Sequence, residues 1–149
     1  MTEASTFNRA EARRWLFDAI VLAASADVHV SRNEPRDITD LCIWLGDTTG
    51  TVDYPVSGRN LPRQDTFTTI VTCSAIVPGD DPEDAEQRCE ELAAAVLEAV
   101  SGDPHVPVDV TGLIDVVVTA VDGPDVVPVA EGYAALMTVA VQFDVRITR

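Results

Sequence analysis

The chain has 149 residues, of which 46% are hydrophobic, and its formal net charge is -15 at pH 7. This length and apolar content predict a single domain over residues 1–149 with one hydrophobic core. The chain has 25 acidic residues and only ten basic ones, all arginine. The acidic surface that this predicts repels phosphate and disfavours nucleic-acid binding. No apolar run approaches membrane-spanning length and no secretory leader is evident, so we expect a soluble protein made in the cytoplasm.

The sequence contains little that indicates catalysis or a bound metal. The three cysteines lack CxxC spacing and lie in apolar runs, which predicts buried, reduced thiols. Neither His29 nor His105 has a partner at ligand spacing, and without lysine there is no Schiff base or P-loop lysine. The acidic run 80–84 lacks EF-hand spacing and is better explained as a helix start. We therefore expect no enzymatic activity, no cofactor and no metal site.

The first half of the chain predicts a helix over residues 8–24, a short strand within 27–36 and a strand over 38–45. From Gly46 to Asp65 the apolar pattern is lost, which predicts a long loop of the kind that carries function or becomes ordered against a partner. Tyr54, Arg59 and Arg63 are its candidate contacts with that partner or with a neighbouring subunit. A surface hairpin without such a role is the alternative.

The second half predicts a strand over 66–77, a helix over 82–100 and a strand over 110–121. A turn at 122–124 and a connection to residue 132 lead to a final strand over 133–147. The predicted fold class is α+β, a mostly antiparallel sheet with two main helices packed on one face and a long C-terminal β-hairpin.

The final strand is unusually long. Every odd position from Tyr133 to Ile147 is apolar, which predicts one buried face over about 45 to 50 Å, more than twice the usual strand length. We therefore expect another subunit to complete or extend the sheet, although a bent hairpin arm fits the same pattern. The polar end of the opposite face makes Gln142, Asp144 and Arg146 the candidate subunit interface.

Several sequence features follow one another in a particular order over residues 63–149. They are Arg63 and Asp65 before a β-branched strand, an acidic helix start, Asp103 and Pro104 after that helix, Gly132 before the long alternating strand, and the terminal Arg146 and Arg149. In this order and spacing the chain resembles the tail terminator proteins of long-tailed bacteriophages. The first half matches that family only in outline.

The resemblance implies a structural protein without enzymatic activity. Such a protein assembles as a ring of six copies on the head-proximal end of the virion tail, where it contacts the tail tube protein and stops further tube subunits from adding. The ring also provides the surface that joins the connector or neck proteins of the head. Six copies carry a formal charge of 6 × -15 = -90, which suits a channel through which DNA passes without specific binding.

Two other functions agree with the sequence. One is a head completion or neck connector protein, which need not terminate tube growth. The other is a small-ligand-binding domain on the same α+β scaffold, which a deep polar pocket containing His29 or His105 favours.

Overall fold

The computed structural model describes residues 8–38, 40–53, 63–101 and 110–147. These residues form two helices and five strands. In chain order the elements are α1 (Arg9–Ala23), β1 (His29–Ser31), β2 (Leu41–Asp53), β3 (Arg63–Pro78), α2 (Pro82–Ser101), β4 (Leu113–Val129) and β5 (Gly132–Ile147).

All five strands belong to one sheet, in the order β1-β2-β3-β5-β4. The short β1 pairs with β2 in parallel, and every other pair is antiparallel. The predicted α+β class with its mostly antiparallel sheet is confirmed, and so is the C-terminal hairpin, which β4 and β5 form. Because β5 also pairs with β3, the last strand is internal, and β4 forms one edge of the sheet.

Both helices cover the same face of the sheet. The α1 helix buries Ala12, Trp15, Leu16, Ala19 and Ile20, and α2 buries Cys89, Leu92 and Val96, each set following the three- and four-residue spacing of one helical stripe. The α2 helix begins where the acidic run predicts, with proline in its first turn and the backbone N–H of Glu83 donating to Asp81 Oδ1 at 3.0 Å. This carboxylate satisfies one of the N–H groups that a helix start leaves unpaired.

The alternation in β5 produces the predicted buried face. Its odd positions from Ala135 to Val145 are all buried in the core under the helices. Phe143 stacks on Phe67 of β3 at a centroid distance of 5.2 Å and meets the Trp15 ring edge-on at 6.1 Å. Such aromatic contacts add to the burial energy of the rings, so the long strand, β3 and α1 share one core.

The predicted loop over 46–65 is wrong at both ends, since residues 46–53 continue β2 and residues 63–65 begin β3. Threonine at 48, 49 and 51 favours a strand, while Gly46 and Gly50 suggest a loop. Gly50 lies opposite Phe67, where a Cβ would stand 2.6 Å from the Phe67 Cα. Here glycine serves a close approach of two strands, and a bulge between Leu45 and Thr48 readjusts the register.

The predicted turn at 122–124 and the connection to residue 132 are also wrong, because β4 continues to Val129 and the chain turns at 130–131. A bulge lies between Asp122 and Asp125. Gly123 within it has φ +100 and a cis peptide bond to Pro124. Glycine and proline, the strongest turn signals in a sequence, here mark a bulge inside a strand.

The cysteines are free and buried, as predicted. The thiol of Cys89 donates to the carbonyl oxygen of Cys73 at 3.4 Å. Burial raises the pKa of Cys73 to about 12 and that of Cys89 to about 11, because the charged thiolate is disfavoured away from water. These two thiols therefore behave as apolar core groups at neutral pH.

Candidate assembly surface

One face of the sheet carries no helix within the described part of the chain. The register places the even positions of β5 on it, together with their partners in β3 and β4. Toward β2 it holds Trp44, which is buried. Toward the β4–β5 turn it is open, with the apolar Leu136 40% and Val127 51% exposed and Asp125 directly opposite Leu136. Exposed apolar side chains grouped on one face are typical of a surface that another protein covers.

The predicted interface residues Gln142, Asp144 and Arg146 all lie on this helix-free face. Asp144 accepts a hydrogen bond from the Thr66 hydroxyl at 2.7 Å, and Arg146 is exposed. Since β5 is flanked by strands on both sides, these side chains can reach a neighbour only from above the sheet. Their role at an interface stays a prediction.

Strand pairing with another molecule is available at β4. This strand of 17 residues pairs on one side only, with β5. Asp115, Asp122 and Asp125 lie along it with exposed side chains, and the strand contains no basic residue. Charged side chains on an edge strand oppose indiscriminate pairing with other chains, so these aspartates limit which chains can add to β4.

Two of the three predicted tube contacts lie outside the residues that the structure describes. Tyr54 and Arg59 lie outside the described residues. Arg63 begins β3, where its backbone pairs with Ile147, and its side chain is not among those described. The contact role of all three residues therefore stays a prediction.

An ion pair holds the start of α1 against β3. Arg9 donates from Nε and Nη2 to the two carboxylate oxygens of Asp65, both at 2.8 Å. Asp65 is 1% exposed and Arg9 30%, and the guanidinium also lies over the Phe67 ring at 5.3 Å. The hydrogen bonds to Asp65 raise the pKa of Arg9 above its ordinary value. This two-bond geometry fixes the helix relative to the sheet.

The neighbouring arginine on α1 closes the β2 bulge. Arg13 Nη1 donates to Gly46 O and to Thr48 Oγ1, both at 2.7 Å, and Nη2 donates to Arg32 O at 3.0 Å. A bulge leaves backbone groups without ladder partners, and Arg13 satisfies one of them. These three acceptors are all neutral, and no carboxylate among the described residues forms an ion pair with Arg13.

Arg13 also lines a groove of about 460 Å³ at the β1 side of the molecule. Its lining contains three arginines and no carboxylate, namely Ala10, Arg13, Arg14, Arg32, Asn33 and Leu45. The Arg32 guanidinium lies 5.1 Å from the centre of the Phe17 ring. Sequence reasoning missed this groove, although half of the ten arginines lie before residue 37. That clustering was the available signal.

Other classes of site have little support in the described ranges. These residues contain no cluster of three or more His, Cys, Asp or Glu side chains that could hold a metal ion. His29 is exposed in β1, and His105 lies outside the described residues. Over the same ranges, neither helix is long and apolar enough to cross a membrane.

The fold matches that of a solved virion component. The chain superposes on a chain in the structure titled "Virion of native gene transfer agent (GTA) particle", with a TM-score of 0.55 and 12% sequence identity. The match covers 95% of this chain and 98% of the other. At that identity the match establishes a shared fold. No protein-family model matches the sequence, and a search of curated proteins found no match.

Proposed function

We propose that this chain is a structural virion protein that forms a ring on the head-proximal end of a phage tail tube. The ring stops tube polymerisation and provides the surface to which the head is joined. In this role the chain acts by assembly and performs no catalysis. Its partners are copies of itself, the tail tube protein and a head-tail connector or neck protein.

The observation that carries the proposal is the shared fold with a component of a virion particle, which extends over nearly the whole of both chains. A match of that extent aligns the complete architecture of helices and sheet. The resemblance of residues 63–149 to tail terminators supports the more specific role. The two lines of argument differ in kind, since one comes from overall backbone geometry and the other from the order of sequence features.

The uncovered sheet face supports assembly with other copies. Apolar side chains such as Leu136 and Val127 gain about 25 cal/mol for every Å² that a neighbour removes from water. At the far edge, β4 offers backbone donors and acceptors that no described strand uses. A contact in which this face or edge meets a different surface of the next copy is heterologous, and such a contact builds a ring when its rotation closes.

The experiment that tests this function is the measurement of tube length in particles assembled with and without the chain. If the chain terminates tubes, its absence gives tubes of excessive and variable length that carry no heads, and adding the purified protein restores a uniform length. A neck connector gives a different result, because tubes then keep their normal length and only head joining fails. Uniform tubes in the absence of the chain therefore refute termination.

The predicted tube contacts can be tested in the same assay. Replacing Tyr54 with alanine and Arg59 with glutamate removes an aromatic contact and reverses a charge, without altering the described strands. We expect a folded protein that caps tubes poorly, with a matched Gln87→Ala variant on the exposed side of α2 as the control. Capping equal to that of the wild-type protein removes these two residues from the proposed contact surface.

A further inference from the structure

Two surfaces of opposite charge lie at opposite edges of the sheet. The arginine groove is built from α1, the residues that follow β1, and Leu45 of β2. The acidic edge is β4 with Asp115, Asp122 and Asp125. In the strand order β1-β2-β3-β5-β4 these are the first and last positions.

The charges of the groove are not neutralised within the described residues. Elsewhere, Arg9 is paired with Asp65, and Arg88 lies within 4 Å of both Asp27 and Glu91. In contrast, no described carboxylate pairs with Arg13, Arg14 or Arg32. A carboxylate-free arginine cluster in a chain of net charge -15 is a surface prepared for an acidic partner.

The acidic edge is equally unneutralised. Asp122 and Asp125 are exposed and form no ion pair with any described residue, and among the described residues Asp115 accepts a hydrogen bond only from the backbone N–H of Val116, at 2.9 Å. No arginine of the strand or of the paired β5 lies beside Asp122 or Asp125. Each of these carboxylates is free to meet a cation supplied by another molecule.

We propose that the arginine groove of one copy receives the acidic β4 edge of the next copy. This inference rests on the proposed ring and specifies the contact that closes it. Because the two surfaces differ and lie on opposite edges, the contact is heterologous, and a heterologous contact builds a ring, not a two-fold dimer, when its rotation closes. Complementary charge also explains how copies of a strongly acidic chain overcome their mutual repulsion.

The test uses charge reversal in the full chain. We expect Arg14→Glu with Arg32→Glu, or Asp122→Arg with Asp125→Arg, to raise the protein concentration needed for half-maximal capping of tubes at least roughly tenfold. All four substitutions in one chain reverse both sides of every contact, so this chain should cap within about threefold of the wild-type concentration. The exposed pair Glu90→Arg with Glu98→Arg makes the same change in net charge as the aspartate reversals and should have no such effect.

Two outcomes overturn the pairing. If either charge-reversed variant caps tubes at the same concentration as the wild-type protein, the charged surfaces do not meet. If a reversal abolishes capping and the four-substitution chain does not restore it, the groove binds a different acidic partner, such as the tube protein. Sedimentation of the same variants without tubes measures the association of copies with one another. We expect each reversal to weaken this association and the four-substitution chain to restore it. Weakened association that the four-substitution chain does not restore also overturns the pairing. A wild-type chain that associates through these charges yet never caps tubes refutes the proposed function alone.

Discussion

The Arg9–Asp65 pair predicts an asymmetry between two substitutions that break the same contact. Asp65 is buried at 1% exposure, whereas Arg9 is 30% exposed. Replacing Arg9 with leucine leaves a carboxylate in the core without its two hydrogen bonds of 2.8 Å. Replacing Asp65 with asparagine leaves an arginine that can turn toward water and still donate to the new amide oxygen.

The magnitudes follow from that difference. Removing one partner of a fully buried ion pair costs about 3–5 kcal/mol, and the partial exposure of Arg9 places Arg9→Leu near the lower end, at about 3 kcal/mol. For Asp65→Asn we expect about 1.5 kcal/mol, since the amide replaces one of two charge-assisted hydrogen bonds. The double variant should cost less than both single changes together, by about 1–2 kcal/mol of coupling.

Urea unfolding followed by tryptophan fluorescence measures these differences as shifts of the midpoint at unchanged slope. Arg88→Met, which removes exposed ion pairs on α2, is the control and should change the free energy of unfolding by less than about 0.5 kcal/mol. A larger loss for Asp65→Asn than for Arg9→Leu, or no coupling between them, refutes the reasoning from burial.

Two further predictions concern the buried thiols and the β4 bulge. Between pH 9 and pH 10 the thiols of Cys73 and Cys89 stay mostly protonated in the folded state while unfolded thiols ionise, so stability falls with rising pH, by at most about 1.4 kcal/mol per pH unit for each thiol. Urea midpoints at pH 8 and pH 10 measure this, Cys89→Ala removes about half of it, and equal midpoints contradict it. Gly123→Ala places a Cβ 2.6 Å from Leu136 O at φ +100 and should cost about 2–3 kcal/mol by thermal unfolding. Gly79→Ala, at φ +119 in open space, should cost less, and equal losses refute the steric argument.

The sequence predicted those parts of the fold in which local pattern and tertiary environment agree. The alternation of β5 is a direct consequence of one face lying under the helices, and the acidic start of α2 follows from helix capping. Both are properties of contiguous residues, so a single sequence contains them.

The errors occurred where glycine serves a tertiary contact. Gly50 and Gly123 indicate a loop and a turn when they are considered alone, yet each permits a neighbouring strand to approach closely. Gly50 lies against Phe67 of β3 and Gly123 against Leu136 of β5, and the need for glycine becomes evident only once those strands are paired. Local propensity has no access to that information.

The arginine groove was missed for a related reason. Arg13 and Arg14 are adjacent on α1, but Arg32 joins them only because β1 pairs with the start of β2 at the sheet edge beside the helix. The candidate interface residues of β5 could be placed on one face from alternation alone. Their separation from the sheet edge could not, since it depends on the strand order.

The central claim is that this chain functions as one of several identical copies around the tail axis. Electron microscopy of purified particles at sufficient resolution to trace chains tests it most directly. The account predicts a ring of copies at the head-proximal end of the tube, with the arginine groove of each facing the β4 edge of the next. A single copy that contacts none of its own kind, or a location away from that end, contradicts it.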